Sequence, residues 1–498
     1  MRRRTLGKVA EIDYSKEYLT IVSTYNGNNT ISWKAKSADL TKTISVSTDN
    51  GATWTNYTSG TTATTLATLT KGKKLLIKGS NTAYGDGTNY NYFTISQTCE
   101  VKGNVMSLLY GDNFENKVEI TADYAFRYLF YNCTKIKSIN NLVLPATFLT
   151  DNCYDSMFYN CSGLTSLPNG LLPAATLSRY CYDFMFCNCS GLKSVPSGFL
   201  PSTALEDYCY GNMFRWCTGL TSVPNDLLPA TTLKTYCYYN MFYGCSGLTS
   251  VPNNLLPATS SASHCYYGMF QSCSGLTSLP SGLLPTDTLA DYCYSHMFQG
   301  CSGLTSLPNG LLPSTKLASN CYSSMFQDCT GVTSLPSNLL PALTAKMYCY
   351  DSMFYNCTGL TSLPSGLLPA TTLDSYCYRD LFRGCRNLAS VPSNLLSVTT
   401  LKNYCYYRMF SACTSLETAP NLPATTLVSN CYSNMFNGCS SLNYVKAMFT
   451  TTPSTSYTNT WLSGVASSGT FVKNSAATWN VSGASGIPSG WTVTTASS

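Results

Sequence analysis

Apolar residues recur along most of this chain in one fixed arrangement. Between Pro229 and Pro257 they fall at Leu233, Cys237, Met241 and Cys245, four apart, with Tyr236 and Phe242 beside them. That spacing predicts an apolar stripe along a short helix or helical turns. The residues between the stripe positions, Lys234, Thr235, Tyr239, Asn240, Tyr243 and Gly244, are expected to face solvent. Gly247 is expected to end the helix, because glycine tolerates the left-handed conformation wanted there. Leu248-Thr249-Ser250-Val251-Pro252 then reads as a very short strand with Leu248 and Val251 pointing inward. Pro252 and Pro257 bracket a turn and a return segment carrying Leu255 and Leu256.

The whole unit, CYYNMFYGCSGLTSVPNNLLP from Cys237, begins again at Cys265 and at Cys293. Its first cysteine recurs every twenty-eight residues from 153 to 405 and once more at 431; the second runs from 133 to 413 and then 439. There are 11 copies of the first and 12 of the second. A fixed period of this size means a solenoid, whose units bury their apolar faces by stacking on one another.

The run Met297-Phe298, Cys301, Leu304, Leu307 and Pro308 resembles the BspA-like class of leucine-rich repeats, and the likeness covers roughly residues 121 to 449. The CY-x-x-MF and LLPATTL text is similar to a subgroup found in gut bacteria and their phages. The resemblance implies an α/β solenoid of about twelve 28-residue repeats, and a role in surface display and adhesion. It does not name a ligand.

Outside the repeats the pattern changes. Leu19 and Ile21, Ile31 and Trp33, Ile44 and Val46 alternate as half-buried strands do, and Asp49-Asn50-Gly51 is a hairpin turn. Residues 1–110 therefore read as a small all-β sandwich of about seven strands. Ser47 to Trp54 also fits an Asp-box pattern similar to hairpins of sialidases, where it is a turn motif. Residues 111–449 form the repeat array, entered through a degenerate unit with Ala125 in place of the first cysteine. Residues 450–498, rich in Ser, Thr and Gly with Trp461, Phe471, Trp479 and Trp491, are expected to form a β-rich cap.

Composition narrows the function. Charged residues are only 11% of the chain and the net charge is +6, with no Lys/Arg cluster after Arg2-Arg3-Arg4, so neither a nucleic-acid footprint nor a membrane span is expected. No apolar segment follows those arginines, so an export signal is not expected either. On a helix, cysteines eight apart stand about 12 Å apart, and helical layers about 8–10 Å apart discourage bridges between repeats. The cysteines are thus expected to be reduced, buried small hydrophobes. Zinc spacing is lacking, and no metal or cofactor is expected. His264 and His296 occupy different places in their repeats and read as solvated surface residues. Carboxylates hold no common position, so an enzyme is not expected.

Within the unit, the Leu-Thr-Ser stretch is nearly constant while the residues around Met-Phe change. Arg215, Trp216, Tyr239, Tyr243, Tyr267, Gln271, His296 and Gln299 fall in four successive units and are the expected binding stripe, on the side away from the short strands. Tyr, Trp, Arg and Gln favour contact at low entropic cost, whereas a merely solvated face more often carries Lys and Glu. The expected partners are a host cell-surface glycan or protein, and other virion subunits through the N-terminal domain; a homo-oligomer is possible. The expected setting is a virion surface, as a tail or head fibre. The alternatives are an extracellular bacterial adhesin and, resting on the lone Asp box, a glycan-cleaving enzyme.

Overall fold

The computed structural model describes residues 13–496. The Arg2–Arg4 run and the residues after it to 12 lie outside the described residues. Eight strands open the fold: β1 Leu19–Ser23, β2 Asn29–Ala35, β3 Thr43–Ser47, β4 Thr55–Thr58, β5 Thr64–Leu69, β6 Lys74–Gly79, β7 Asn91–Ile95 and β8 Cys99–Asn104. β8, β1, β6, β3 and β4 pair antiparallel in that order, and β5, β2 and β7 make a second sheet. Alternate residues of both, among them Leu19, Ile21, Ile31, Trp33, Ile44 and Val46, share one buried core. The Asp-box residues close the β3–β4 hairpin on themselves. Asp49 accepts from the Ser47 hydroxyl at 2.6 Å, from the Thr53 amide at 3.0 Å and from the Thr53 hydroxyl at 2.6 Å.

The first sheet does not end at the sandwich. After a four-residue helix, α1 (Ser107–Tyr110), β8 pairs in parallel with β9 (Ile136–Ser138) and β10 (Leu142–Val143) of the entry unit. β7 joins the array from the other sheet: the Phe93 amide donates to Leu129 at 3.0 Å, and the Phe93 ring stacks on Phe130 at 5.4 Å.

The repeats contain almost no helix, which corrects the α/β expectation. Where a helix was predicted, each unit is a ribbon of consecutive turns. In one unit the amides of Asp155, Met157, Tyr159 and Cys161 donate to the carbonyl three residues back, at 3.0–3.2 Å. The amides of Asn152, Tyr154, Ser156, Phe158 and Asn160 instead cross to the next unit. They reach the carbonyls of Arg179, Cys181, Asp183, Met185 and Cys187 at 2.8–3.0 Å. An α-helix spends its amides internally; this ribbon spends half of them between units, so the array is a β-solenoid.

The turn period is four, and every fourth residue is left-handed: φ is 57° at Asn152, 56° at Ser156 and 59° at Asn160. Left-handed backbone costs a non-glycine residue about 1–2 kcal/mol. The same residues supply inter-unit donors, so each strained amide is matched by a hydrogen bond that only stacking can provide. A period of four also explains the burial. Cys237, Met241 and Cys245 point inward as predicted, whereas Asn240 and Gly244, expected in solvent, are covered by the adjoining units: a Cβ on Gly244 would lie 2.4 Å from the Trp216 ring.

Stacking is tight. Ring centroids of Phe158, Phe186, Phe214 and Phe242 follow one another at 5.5–5.9 Å, nearly parallel, and the core tyrosines Tyr154, Tyr182, Tyr210 and Tyr238 do the same at 5.7–6.0 Å. Gly247 does not act as a left-handed helix terminator. A Cβ there would lie 2.4 Å from the Thr218 carbonyl oxygen and 2.9 Å from that of Leu220, so the glycine lets two units approach. The predicted short strand survives as a row of single parallel bridges such as Ser194 with Ser222, and a second row gives β11 (Thr344–Ala345) paired with β12 (Thr372–Leu373).

At the far end β13 (Tyr444–Ala447), β14 (Gly469–Lys473) and β15 (Trp491–Thr495) form a parallel sheet, with the short helix α2 (Thr455–Thr458) between the first two. The turn ribbon continues past the last cysteine: the amides of Asn434, Phe436 and Gly438 donate to Asn459, Trp461 and Ser463 at 2.8–2.9 Å. Trp461, Trp479 and Trp491 close the core, each with its indole N–H on a backbone carbonyl, at 2.8–3.1 Å.

Candidate functional site

All 25 cysteines are free and buried. Their arrangement differs from the expected helical one, and the second column is more than filler. Cys245 donates its thiol to the Phe214 carbonyl at 3.1 Å, Cys273 to Phe242 and Cys301 to Phe270 at the same distance, and the pattern runs on to Cys439 on Phe410 at 3.0 Å. Each thiol thus ties its unit to the preceding one. Burial pushes these thiols up, to about 12 at Cys301 and Cys385, which keeps them protonated and able to donate.

The variable positions form rows across successive units, and the structure brings the predicted residues together in two of them. The Arg215 guanidinium lies 4.5 Å from the Tyr243 ring centroid, and Trp216 meets Tyr243 edge-on at 5.2 Å. Gln271 donates to Gln299 at 2.8 Å. Tyr239 stacks on Tyr267 at 5.3 Å, and Tyr267 packs on His296 at 4.9 Å. Trp216 is exposed (41%) and the other seven are half-buried. His296 is therefore no solvated surface residue. Burial lowers it to about 4, leaving the ring neutral, and its Nδ1 lies 2.7 Å from the Ser295 hydroxyl.

Two aromatic groups were not anticipated. Tyr180, Tyr208, Tyr236, His264 and Tyr292 form a continuous half-exposed stack at 4.4–4.6 Å, one residue before the first cysteine. A ring or Asn at that position in every unit was its sequence signal. The second group lies where sandwich and array meet: Tyr90, Tyr128, Tyr131, Tyr159 and Phe184 line a concavity of about 310 Å³. Nothing in the repeat text marks Tyr90 as part of it, because only the fold carries that residue there.

Charge in these rows is paired within the stack. Arg127 binds Asp155 at 2.7 Å, and Arg379 holds Asp351 by two bonds of 2.6 and 2.8 Å. Burial outweighs the arginine and raises Asp351 to about 6. Asp183 has no ion-pair partner among the described residues; burial, with Asp155 second, raises it well above the usual carboxylate range, against the Asn212 side chain, which donates to it at 3.2 Å. Among the described residues no three His, Cys, Asp or Glu side chains are grouped to hold a metal ion, and no helix is long and apolar enough to cross a membrane.

A family model for the BspA type leucine rich repeat region matches in six copies, over residues 112–240, 203–361, 287–409 and 350–475. The chain belongs to that family. The matched range runs past the last cysteine to 475, in agreement with the turn ribbon that continues through Trp461. No curated protein and no solved structure gives a significant match. In this BspA-type array the inward residues fix the stack, and the surface rows are free to differ from unit to unit.

Proposed function

We propose that the protein is a non-enzymatic surface-binding protein, an array of about twelve 28-residue units. Its N-terminal strand domain docks on other virion subunits and its array contacts a host cell-surface glycan or protein. The observation that carries this reading is the contrast inside each unit: a constant buried lattice holds rows of half-exposed Tyr, Trp, Arg and Gln side chains at a fixed pitch. Membership of a family whose members are commonly surface adhesins supports it. The virion setting is favoured by the thiols. Twenty-five free cysteines, all but Cys99 and Cys187 in stacked columns, suit folding in a reducing cytoplasm, where virions assemble, better than export through an oxidising compartment. A cell-surface adhesin of a bacterium is the alternative. Neither nucleic-acid binding nor membrane insertion belongs to this reading.

The test is binding of the fluorescently labelled full chain to intact gut bacteria, scored by flow cytometry, with immunogold labelling of phage particles using an antibody to the chain. Cell binding that drops about tenfold in a Trp216→Ala, Tyr239→Ala, Tyr243→Ala variant of unchanged melting temperature supports the predicted stripe. No cell binding by the parent, or gold on bacterial envelopes rather than on particles, refutes the adhesive and the virion parts respectively.

A further inference from the structure

We infer that the concavity lined by Tyr90, Tyr128, Tyr131, Tyr159 and Phe184 is a binding site for one pyranose ring of an acidic glycan. The inference rests on the surface-binding reading above and assigns it a second, separate site.

Within the array, aromatic rows close their own faces. In the outer stack each inner ring is sandwiched by its neighbours at 4.4–4.6 Å, with planes 9–21° apart, so a sugar meets ring edges only. At the junction Tyr90 stacks on Tyr128 at 4.2 Å, but the other rings turn. Tyr131 is set at 85° to Tyr128 and 64° to Tyr90, and Tyr159 at 58° to Tyr128, so ring faces open onto a shared space. Tyr159 leans across that space, its ring centroid 6.4 Å from those of both Tyr128 and Phe184. Tyr128 and Phe184 occupy the same left-handed position two units apart, and between them the chain has Ser156. The neighbouring Phe column advances 5.3 and 5.5 Å over these two steps, so roughly two ring spacings separate Tyr128 from Phe184. Ser156 itself is buried, and the space is bounded by ring surfaces alone.

The volume of about 310 Å³ is at the small end of ligand pockets. The rim chooses the ligand. Lys36, which is exposed, has its Nζ 5.4 Å from the Tyr90 centroid and 2.7 Å from the Thr88 carbonyl, a neutral partner, while Arg127 is already held by Asp155. A cation beside one of the lining rings disfavours an ammonium ligand and favours a carboxylate. A pyranose offers an apolar C–H face to the rings and hydroxyls to the surrounding phenols. A proline-rich peptide needs an extended groove, which a single compact concavity does not supply.

The full chain would be titrated by calorimetry with trigalacturonate, 3′-sialyllactose, maltotriose and decaproline. Binding of at least one acidic sugar, at least tenfold tighter than maltotriose, is expected. Tyr131→Ala with Tyr159→Ala should weaken it at least tenfold, and Lys36→Gln, an exposed change, severalfold for the acidic sugars alone; Tyr208→Ala should leave it unchanged. No binding of either acidic sugar, equal binding of maltotriose, preference for decaproline, or full binding by the Tyr131→Ala, Tyr159→Ala variant overturns the proposal. Cell attachment measured beside it separates the two readings. If the Tyr131→Ala, Tyr159→Ala variant still binds cells as the parent does, the junction site falls and the adhesive function stands; if the parent binds no cells, the adhesive function falls.

Discussion

The thiol-to-carbonyl ladder makes a quantitative prediction that packing alone does not. Cys273 is fully buried and donates to the Phe242 carbonyl at 3.1 Å, whereas Cys265, equally buried and earlier in the same turn ribbon, has no such bond. Cutting either to alanine removes one sulfur from the core, at about 1 kcal/mol in lost burial and residual cavity. Cys273→Ala also removes the S–H···O bond, for about 0.5–1 kcal/mol more. The Phe242 oxygen keeps the Cys245 amide at 3.1 Å, so no larger penalty for an orphaned carbonyl arises. Because units in a solenoid are coupled mainly to their neighbours, the readout is local. Hydrogen exchange of peptides spanning 237–301, followed by mass spectrometry, should accelerate about fivefold in Cys265→Ala and about tenfold to thirtyfold in Cys273→Ala, at about 1.4 kcal/mol per tenfold. Equal acceleration in the two variants would refute the ladder and leave the cysteines as small hydrophobes.

The remaining expectations test other parts of the lattice. Gly247→Ala should loosen the array by about 1–3 kcal/mol or more through overpacking, whereas Gly282→Ala, left-handed at φ 74° with open space around it, should lose only about 1–2 kcal/mol of backbone strain; equal urea midpoints would contradict this. Ala412→Gly, at φ 61° between Gly384 and Gly438 of the adjacent units, should raise the melting temperature, and a fall would show that its strain is already relieved. Asp183, raised by burial, binds its proton more tightly when folded, so its contribution to stability falls as pH rises above the ordinary carboxylate range. Asp183→Asn should therefore melt higher than the parent at about pH 8, with the gap closing toward about pH 4; a gap independent of pH would point to packing instead. In the native protein a thiol reagent should react with almost no cysteine, and after denaturation without reductant with nearly all 25.

The fold was legible where it depends on which residues are inside, and hidden where it depends on what the backbone does. Cys237, Met241 and Cys245 face the core in a helix and in a four-residue turn ribbon alike. Over so short a stretch a period of about 3.6 cannot be told from one of about four by apolar positions alone. The difference lay in the other residues. Asn152, Ser156 and Asn160, and their counterparts Tyr236, Asn240 and Gly244, recur four apart and draw heavily on the types that accept or tolerate the left-handed region. In other units Phe184 stands at the position of Asn240 and Trp216 at that of Gly244, which blurred the signal.

The site was half legible for a related reason. Residues that vary between units lie on the surface rows, so Arg215, Trp216, Tyr239 and Tyr243 could be chosen by comparing one unit with the next. That comparison finds side chains but not free faces. A stacked row such as Tyr208, Tyr236 and His264 is rich in rings and presents few of their faces, because each covers the next. The faces turn onto a shared space where the array meets the sandwich, beside Tyr90. In a protein built by repetition, the constant positions specify stability and the varied rows specify surface chemistry. A concave pocket needs a break in the register, and the break nearest the sandwich is the one that joins residues from both parts of the fold.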